Sequence, residues 1–486
     1  MPPSMIPFQG SVTPLQTPSF FAQKGIIAIN VGGTIFHTSA SSLRHADQGS
    51  ILASLLNTPS IPLKSENPPF FDRDPDLFAA LLSILRTSRK TASTDDLLSV
   101  NDLIGEAEYY GVTGALKTAM AVPSLDGLDM TEKSVLLPNG RDLPSALSAD
   151  RTDGSVIVSH GSKISIYDWG LRKNGTLLTQ FNCIDTLAKI SPSIAIAGAV
   201  DFPGLHIYNL DRKTHRETIQ WEIESQEIRL HEPTVQAAEF SPSNNAIFAS
   251  FESGRKNAHT ILLIDGESFR PVTELGRQIG FGGLESSPAT KLEWIDSHNL
   301  LMSSNVNSGP FGYKSDLKLW DVKSQKIVWE YRESNPGPAG HQVKLDPFSD
   351  CFADVTVSEQ FGSIFKLGVR GGGLFMADLR QLNNSSPWVA LGESSNPELG
   401  GAQNKVLGYG KQVFVTRGGD LEAWCEVGLR EKGKIFRKNI VGNKEGGERI
   451  TRLAAGGNRL FVARKGLQGV EVWDSSRSKA ASVRLV

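Results

Sequence analysis

The sequence predicts a multidomain protein, with a small α/β unit first and a large all-β unit, built on one repeated sheet, after it. Three observations carry this. A strand, a Gly-Gly turn and a returning strand open the first 120 residues, and helical apolar stripes follow them. From about residue 143 short β-like segments recur between Gly, Asn, Asp and Ser turns, and no long helical stripe interrupts them. The chain also holds 47 glycines in 486 residues, which favours a turn-rich β architecture over a helical one.

Composition narrows the function classes. Hydrophobic residues at 39% and charged residues at 21% suit a packed, soluble fold, and the length allows roughly three domains. A net charge of -2 lacks the broad basic footprint of a nucleic-acid binder. Cys183, Cys351 and Cys425 are scattered and odd in number. They suggest neither a disulfide framework nor a metal spacing, and they fit a reducing compartment, cytoplasmic or nuclear. The longest apolar run, Leu77 to Leu85, is far short of a membrane span, so no membrane insertion is expected.

Residues 1–24 carry no charge before Lys24 and have prolines at 2, 3, 7, 14 and 18. They lack the basic start of a secretory signal and read as a disordered tail; the other reading, a transit peptide, is opposed by the absence of arginine. Ile26 to Val31 reads as a buried strand. Gly32-Gly33 supplies the positive φ of a tight hairpin turn, and Thr34 to Thr38 returns with Phe36 and Thr38 on one face. Ser39 suits a helix cap. Ile51, Leu52, Leu55 and Leu56 form a short helical stripe, and Phe70-Phe71 a short strand.

Asp74 then fits an N-cap and Pro75 the first helical position, where a missing N–H costs nothing. Leu77, Phe78, Leu81, Leu82 and Leu85 make the buried face of this helix, and Arg86 lies near its negative end. Asp95 to Leu98 suits another helix start. Ile104, Ala107 and Tyr110 continue a helix that Gly111 ends in the left-handed conformation. Residues 121–142, with Pro123, Gly127, Pro138 and Gly140, read as a linker running into the first strand of the second unit.

In that unit similar closing strands end at Asp168, Asp211, Asp265, Asp321, Asp378, Cys425 and Asp474, spaced by 43, 54, 56, 57, 47 and 49 residues. Phe240-Ser241-Pro242 and Phe348-Ser349-Asp350 look like turns after a first strand. Ala480 to Val486 reads as a last strand able to close a ring and so remove free sheet edges.

Two resemblances rest on these residues. Asn30-Val31-Gly32-Gly33 with Phe36 and Thr38-Ser39, then Phe71-Asp72-Arg73-Asp74-Pro75, then Glu106-Ala107-Glu108-Tyr109-Tyr110-Gly111, resemble in order and spacing the BTB/POZ domain of the potassium-channel-tetramerisation type, over residues 25–120. The repeats, with Gly340-His341 and the dipeptides Trp320-Asp321 and Trp473-Asp474, resemble a degenerate WD-type β-propeller of about seven blades, over residues 143–486. A pair of β-sandwiches is the competing architecture.

The first resemblance implies a homo-oligomeric ring of four or five copies, closed by heterologous contacts, with Asp72, Arg73 and Asp74 as candidates for the contact. Capping and local pairing would explain the same three residues. BTB-plus-propeller proteins are similar to substrate adaptors of cullin-3 ubiquitin ligases. The resemblance therefore implies cullin-3 as a partner, docked near Leu55, Leu56, Asn57, Tyr109 and Tyr110, and a target protein on the propeller. Core packing is the competing reading for the apolar positions and the tyrosine pair. The alternative function is an oligomeric scaffold or channel/receptor regulator that recruits no ligase.

No enzyme or cofactor is expected. The nine histidines are dispersed without a His-x-x-x-His pair, no Gly-x-Ser-x-Gly elbow occurs, and Gly371-Gly372-Gly373 precedes a strand as a blade turn rather than a phosphate loop.

Overall fold

In the computed structural model the chain falls into two compact units, residues 1–120 and 121–486. The structure describes residues 26–43, 46, 50–56, 68–87, 100–120, 125, 128–138, 140–222, 232–253, 258–279, 287–309, 312–336, 350–383, 387–391, 401–430, 433–441 and 447–475.

The head starts with the expected hairpin. β1 (Ile26–Val31) pairs antiparallel with β2 (Thr34–Ser39), and Val31 stands opposite Thr34 across the turn. Gly32 and Gly33 take φ of +55° and +92°, which glycine alone adopts without strain. At Gly32 a side chain would also meet the Arg73 carbonyl at 2.6 Å. α1 (Ala40–Leu43) follows, and Ser39 caps it by accepting from the Ser42 N–H at 3.2 Å. α2 (Ile51–Ser54) is a single turn capped by Ser50, and it buries Leu52. β3 (Phe70–Phe71) adds to β1 in parallel, giving a three-stranded sheet in the order β2-β1-β3.

α3 (Pro75–Thr87) buries Leu77, Phe78, Leu81, Leu82 and Leu85, the stripe read from the sequence. α4 (Val100–Tyr110) ends at Gly111, whose φ is +69°, and α5 (Thr113–Met120) packs against both longer helices. The helix start expected at Asp95 to Leu98 lies outside the described residues.

Among the described residues the second unit forms seven groups of four antiparallel strands; the second and third groups are joined by one extra pair, Pro203 with Thr234. The first group is 144–149, 156–160, 163–167 and 173–178. First strands pack on one another in chain order, and 450–456 of the last group packs back on 144–149 of the first. This is a closed β-propeller of seven blades, and the sandwich alternative is set aside. The segments read as closing strands are the third of four in each blade; a fourth strand lies outside each one. The third strand is more buried than the outer one, as 163–167 is beside 173–178.

β4 (Thr131–Leu136) completes the ring. It is the outermost strand of the seventh blade, antiparallel to 470–474, with Leu136 opposite Val470 and Thr131 opposite Asp474. Propeller structure therefore begins within the stretch expected as linker, at Thr131 rather than 143. Ala480 to Val486 lies outside the described residues, as do Gly340-His341 and Phe348-Ser349. Asp350 precedes the first strand of the fifth blade (352–358) instead of following one.

Neighbouring inner strands are stitched by side chains. Ser148 accepts from the Lys189 N–H at 2.9 Å, Thr186 from the Ala238 N–H at 3.1 Å and Glu293 from the Val357 N–H at 2.7 Å. Asp354 accepts from the Val406 N–H at 3.0 Å, and Arg452 donates to the Ser145 carbonyl at 2.6 Å, joining the last blade to the first. Each such bond satisfies a backbone or carboxylate group that closure would otherwise leave unpaired.

Candidate interaction surfaces

In the head, the sequence candidates separate into core, local ties and surface. Tyr110 is fully buried, with its ring 5.6 Å from Phe71 and 5.0 Å from Phe78. Burial pushes its hydroxyl well above the ordinary tyrosine range, with Glu106 and Tyr109 adding to the effect. It is thus a core residue and offers no docking surface, because α4 turns it inward onto α3. Its buried hydroxyl has no hydrogen-bond partner among the described residues. Tyr110→Phe is therefore expected to change stability by less than about 1 kcal/mol in either direction, read from thermal unfolding of the head.

Tyr109 is 42% exposed, and the Arg73 guanidinium lies 4.4 Å from its ring centroid. Arg73 also grips Glu106 with two nitrogens, Nη2 to Oε1 at 2.7 Å and Nε to Oε2 at 3.2 Å. This forked geometry fixes the arginine and, through it, the tyrosine face. Asp74 caps α3, accepting from the Asp76 and Leu77 N–H groups at 2.8 and 3.2 Å. Asp72 is exposed. Of the three residues considered for self-association, then, Asp74 and Arg73 are held within the head and Asp72 faces outward. Leu55 and Leu56 are half-buried in the turn after α2, and Asn57 lies outside the described residues. Ile35 at 54% and Phe70 at 60% are further exposed apolar residues on the two edge strands of the head sheet, which sequence reasoning did not single out.

In the propeller, inner strands line the axis with charge. Lys291 bonds Asp354 at 3.0 Å, the Val355 carbonyl at 2.6 Å and Glu293 at 3.1 Å. Burial alone would lower the Lys291 ammonium, but Asp354 and Glu293 outweigh it and hold it above its ordinary value. Glu239 nearby is pushed up to about 7 by burial, with Glu293 adding to it.

A second set, missed from sequence, recurs between blades. In the sixth blade Arg417 pairs with Glu422 at 3.1 Å, and the Trp424 Nε1–H donates to the same carboxylate at 2.9 Å. In the seventh, Arg464 pairs with Glu471 at 2.8 Å, and Trp473 donates to Glu471 at 3.2 Å. Each arginine also crosses to a glycine carbonyl in the preceding blade, Gly372 and Gly419. The visible signal was Glu-x-Trp in a third strand with an arginine five or seven residues before it. Trp424 and Trp473 pack between neighbouring blades.

Residues 27–119 match the BTB/POZ domain family, and residues 142–475 match the family described as At2g24240-like, C-terminal beta propeller. The chain belongs to that BTB/POZ–propeller family. BTB/POZ domain-containing protein At5g41330 of Arabidopsis thaliana is 39% identical over 477 residues, 94% of this chain and 98% of that one. BTB/POZ domain-containing protein At2g24240 of the same plant is 24% identical over 93% of this chain and 98% of its own. Human BTB/POZ domain-containing protein KCTD3 is similar over the head only, 36% identical across 21% of this chain and 12% of its own. In this BTB/POZ–propeller chain no helix among the described residues is long and apolar enough to cross a membrane.

His160 in the first blade stands at the position that Arg417 and Arg464 occupy in the sixth and seventh, two residues past the partner of the residue replacing the glutamate. It is 2% exposed, and burial lowers its imidazole to about 4. The unfolded chain binds that proton near pH 6.5, so it takes up more protons than the folded one between about 6.5 and 4. Stability is fully present above pH 6.5 and falls as pH drops through this window, by about 3 kcal/mol in all. His160→Gln should flatten the slope of unfolding free energy against pH in this range.

Proposed function

We propose that this protein is an oligomeric adaptor whose head docks cullin-3 and whose propeller recruits a target protein for ubiquitination. What supports the reading is the pairing, in one chain, of a tetramerisation-type BTB/POZ head with a closed seven-bladed propeller. The head would self-associate in a ring of four or five copies, using Asp72 and the exposed edge residues Ile35 and Phe70. Cullin-3 would meet Tyr109 and the half-buried Leu55 and Leu56. The propeller supplies a rigid frame with variable loops, the usual basis of a recognition surface. Several propellers on one ring would strengthen a weak target contact through effective concentration. Such a protein would work in the cytoplasm or nucleus.

The test is binding of the full-length chain to the N-terminal domain of cullin-3 by biolayer interferometry, with light scattering for the oligomer. The reading expects a complex at about 10 µM or below, weakened about tenfold by Tyr109→Ala. No binding at several times that concentration removes the ligase role. If oligomerisation persists without it, and target levels do not respond to proteasome inhibition, the protein acts as a scaffold.

A further inference from the structure

The third and fourth blades leave between them a cavity of about 690 Å³. One repeat position contributes to it. In the fourth blade Trp320 stands opposite Leu301 and Lys318 opposite Ser303. This is the register in which the seventh blade sets Trp473 opposite Leu460 and Glu471 opposite Val462. The place of Arg464 therefore falls to Asn305, and the place of Glu471 to Lys318. An asparagine is too short to cross to the preceding blade as Arg417 and Arg464 do, so the wedge stays open. In the third blade the same position holds Phe251, which is fully buried.

The walls carry unmet hydrogen-bonding capacity. Ser250 is 1% exposed and Asn305 4% exposed; the Ser250 Oγ and Asn305 Oδ1 are buried without a hydrogen-bond partner among the described residues, and both residues line the cavity. Asp316 Oδ1 has no hydrogen bond among the described residues either; it forms an ion pair to Arg332 Nε at 3.4 Å, while Oδ2 pairs with Lys318 at 2.8 Å. Native interiors almost never leave such atoms unpaired unless water or a ligand reaches them. The charged lining residues are Arg277, Lys318 and Arg332 against Asp316. Trp320 forms a flat wall, held in place by its Nε1–H bond to Ser303 Oγ at 2.8 Å.

We propose that this cavity binds a small polyol bearing one acidic group, of the sugar-phosphate class. Hydroxyls donate to Asn305 Oδ1 and Asp316 Oδ1 and exchange a hydrogen bond with Ser250. The ring lies on Trp320, and the acidic group meets Arg332 and Lys318. A cationic ligand would face three lining cations, Arg277, Lys318 and Arg332, against one lining carboxylate, Asp316. An apolar one would leave the buried oxygens unpaired. The proposal is independent of cullin-3 docking by the head.

Isothermal titration of the full-length chain with glucose 6-phosphate and with myo-inositol 1-phosphate, beside glucose and inorganic phosphate alone, tests it. The expected result is saturable binding of a polyol phosphate, at least about tenfold tighter than either half. Arg332→Ala should weaken it about tenfold at an unchanged melting temperature, and Asn305→Leu, which removes the Oδ1 acceptor and leaves an apolar wall in its place, should weaken it at least tenfold. If Asn305→Leu fails to fold, Ser250→Ala takes its place with a severalfold loss expected. Absence of heat with both polyol phosphates up to about 10 mM overturns the proposal. So does equal affinity for phosphate alone, or an affinity that none of the variants changes.

Discussion

Glu471→Ala is expected to destabilise the propeller by about 3–5 kcal/mol, because it strands a charge that cannot reach water. The Arg464 side chain is 1% exposed, and Glu471 is its only carboxylate partner among the described ion pairs. The substitution also removes the acceptor of the Trp473 indole N–H. What remains for the guanidinium is two backbone carbonyls, Gly419 and Glu448, at 2.6 and 3.0 Å. These solvate the charge but do not neutralise it. Replacing both partners, Arg464→Met with Glu471→Leu, should recover most of the loss, since an apolar pair of similar volume needs no desolvation. Thermal unfolding followed by circular dichroism checks this, with a drop of roughly 4–7 °C for the single variant. A shift below about 2 °C would mean that the pair is not desolvated as the structure has it.

The second large effect concerns closure. A chain of residues 121–486 retains β4, whereas one of residues 140–486 lacks it and leaves the 470–474 strand with a free edge. The loss comprises the burial of Leu125 and Leu136, 1% and 6% exposed in the fold and worth about 2 kcal/mol each, and some three or four net ladder hydrogen bonds at about 1 kcal/mol each. The shorter chain should melt about 10 °C lower. It should also associate through the open edge, because an unpaired strand is a template for another chain. Size-exclusion chromatography of the two chains separates the outcomes. Equal melting temperatures and two monomeric peaks would show that closure does not depend on β4.

Much of the head was legible in sequence because its signals are short in range. Gly32-Gly33, Asp74-Pro75 and Gly111 each act within a few residues, through φ or through one capped N–H, and each does in the structure what the residue type suggests. The stripe from Leu77 to Leu85 is likewise a property of one helix. Tyr109 and Tyr110 show where that reach ends. Adjacent residues of one type point to different sides of α4, and only the neighbours, α3 on one side and Arg73 on the other, separate a core residue from a surface one. Arg73 looked like one of three equivalent charges, yet Glu106, thirty-three residues on, claims it.

For the propeller, local sequence alone settles the repeat and its period, since a strand buried on both faces and bounded by turns carries its pattern in the chain itself. It also settles that the chain carries a head of one kind and a body of another. Which strand shuts the ring, and where the ring stays open, belong to the tertiary structure. Thr131 and Asp474 meet across 343 residues, and nothing in either segment names the other. The cavity beside Asn305 is decided the same way. An asparagine in a strand is unremarkable until a neighbouring blade defines the gap that a longer side chain would have filled.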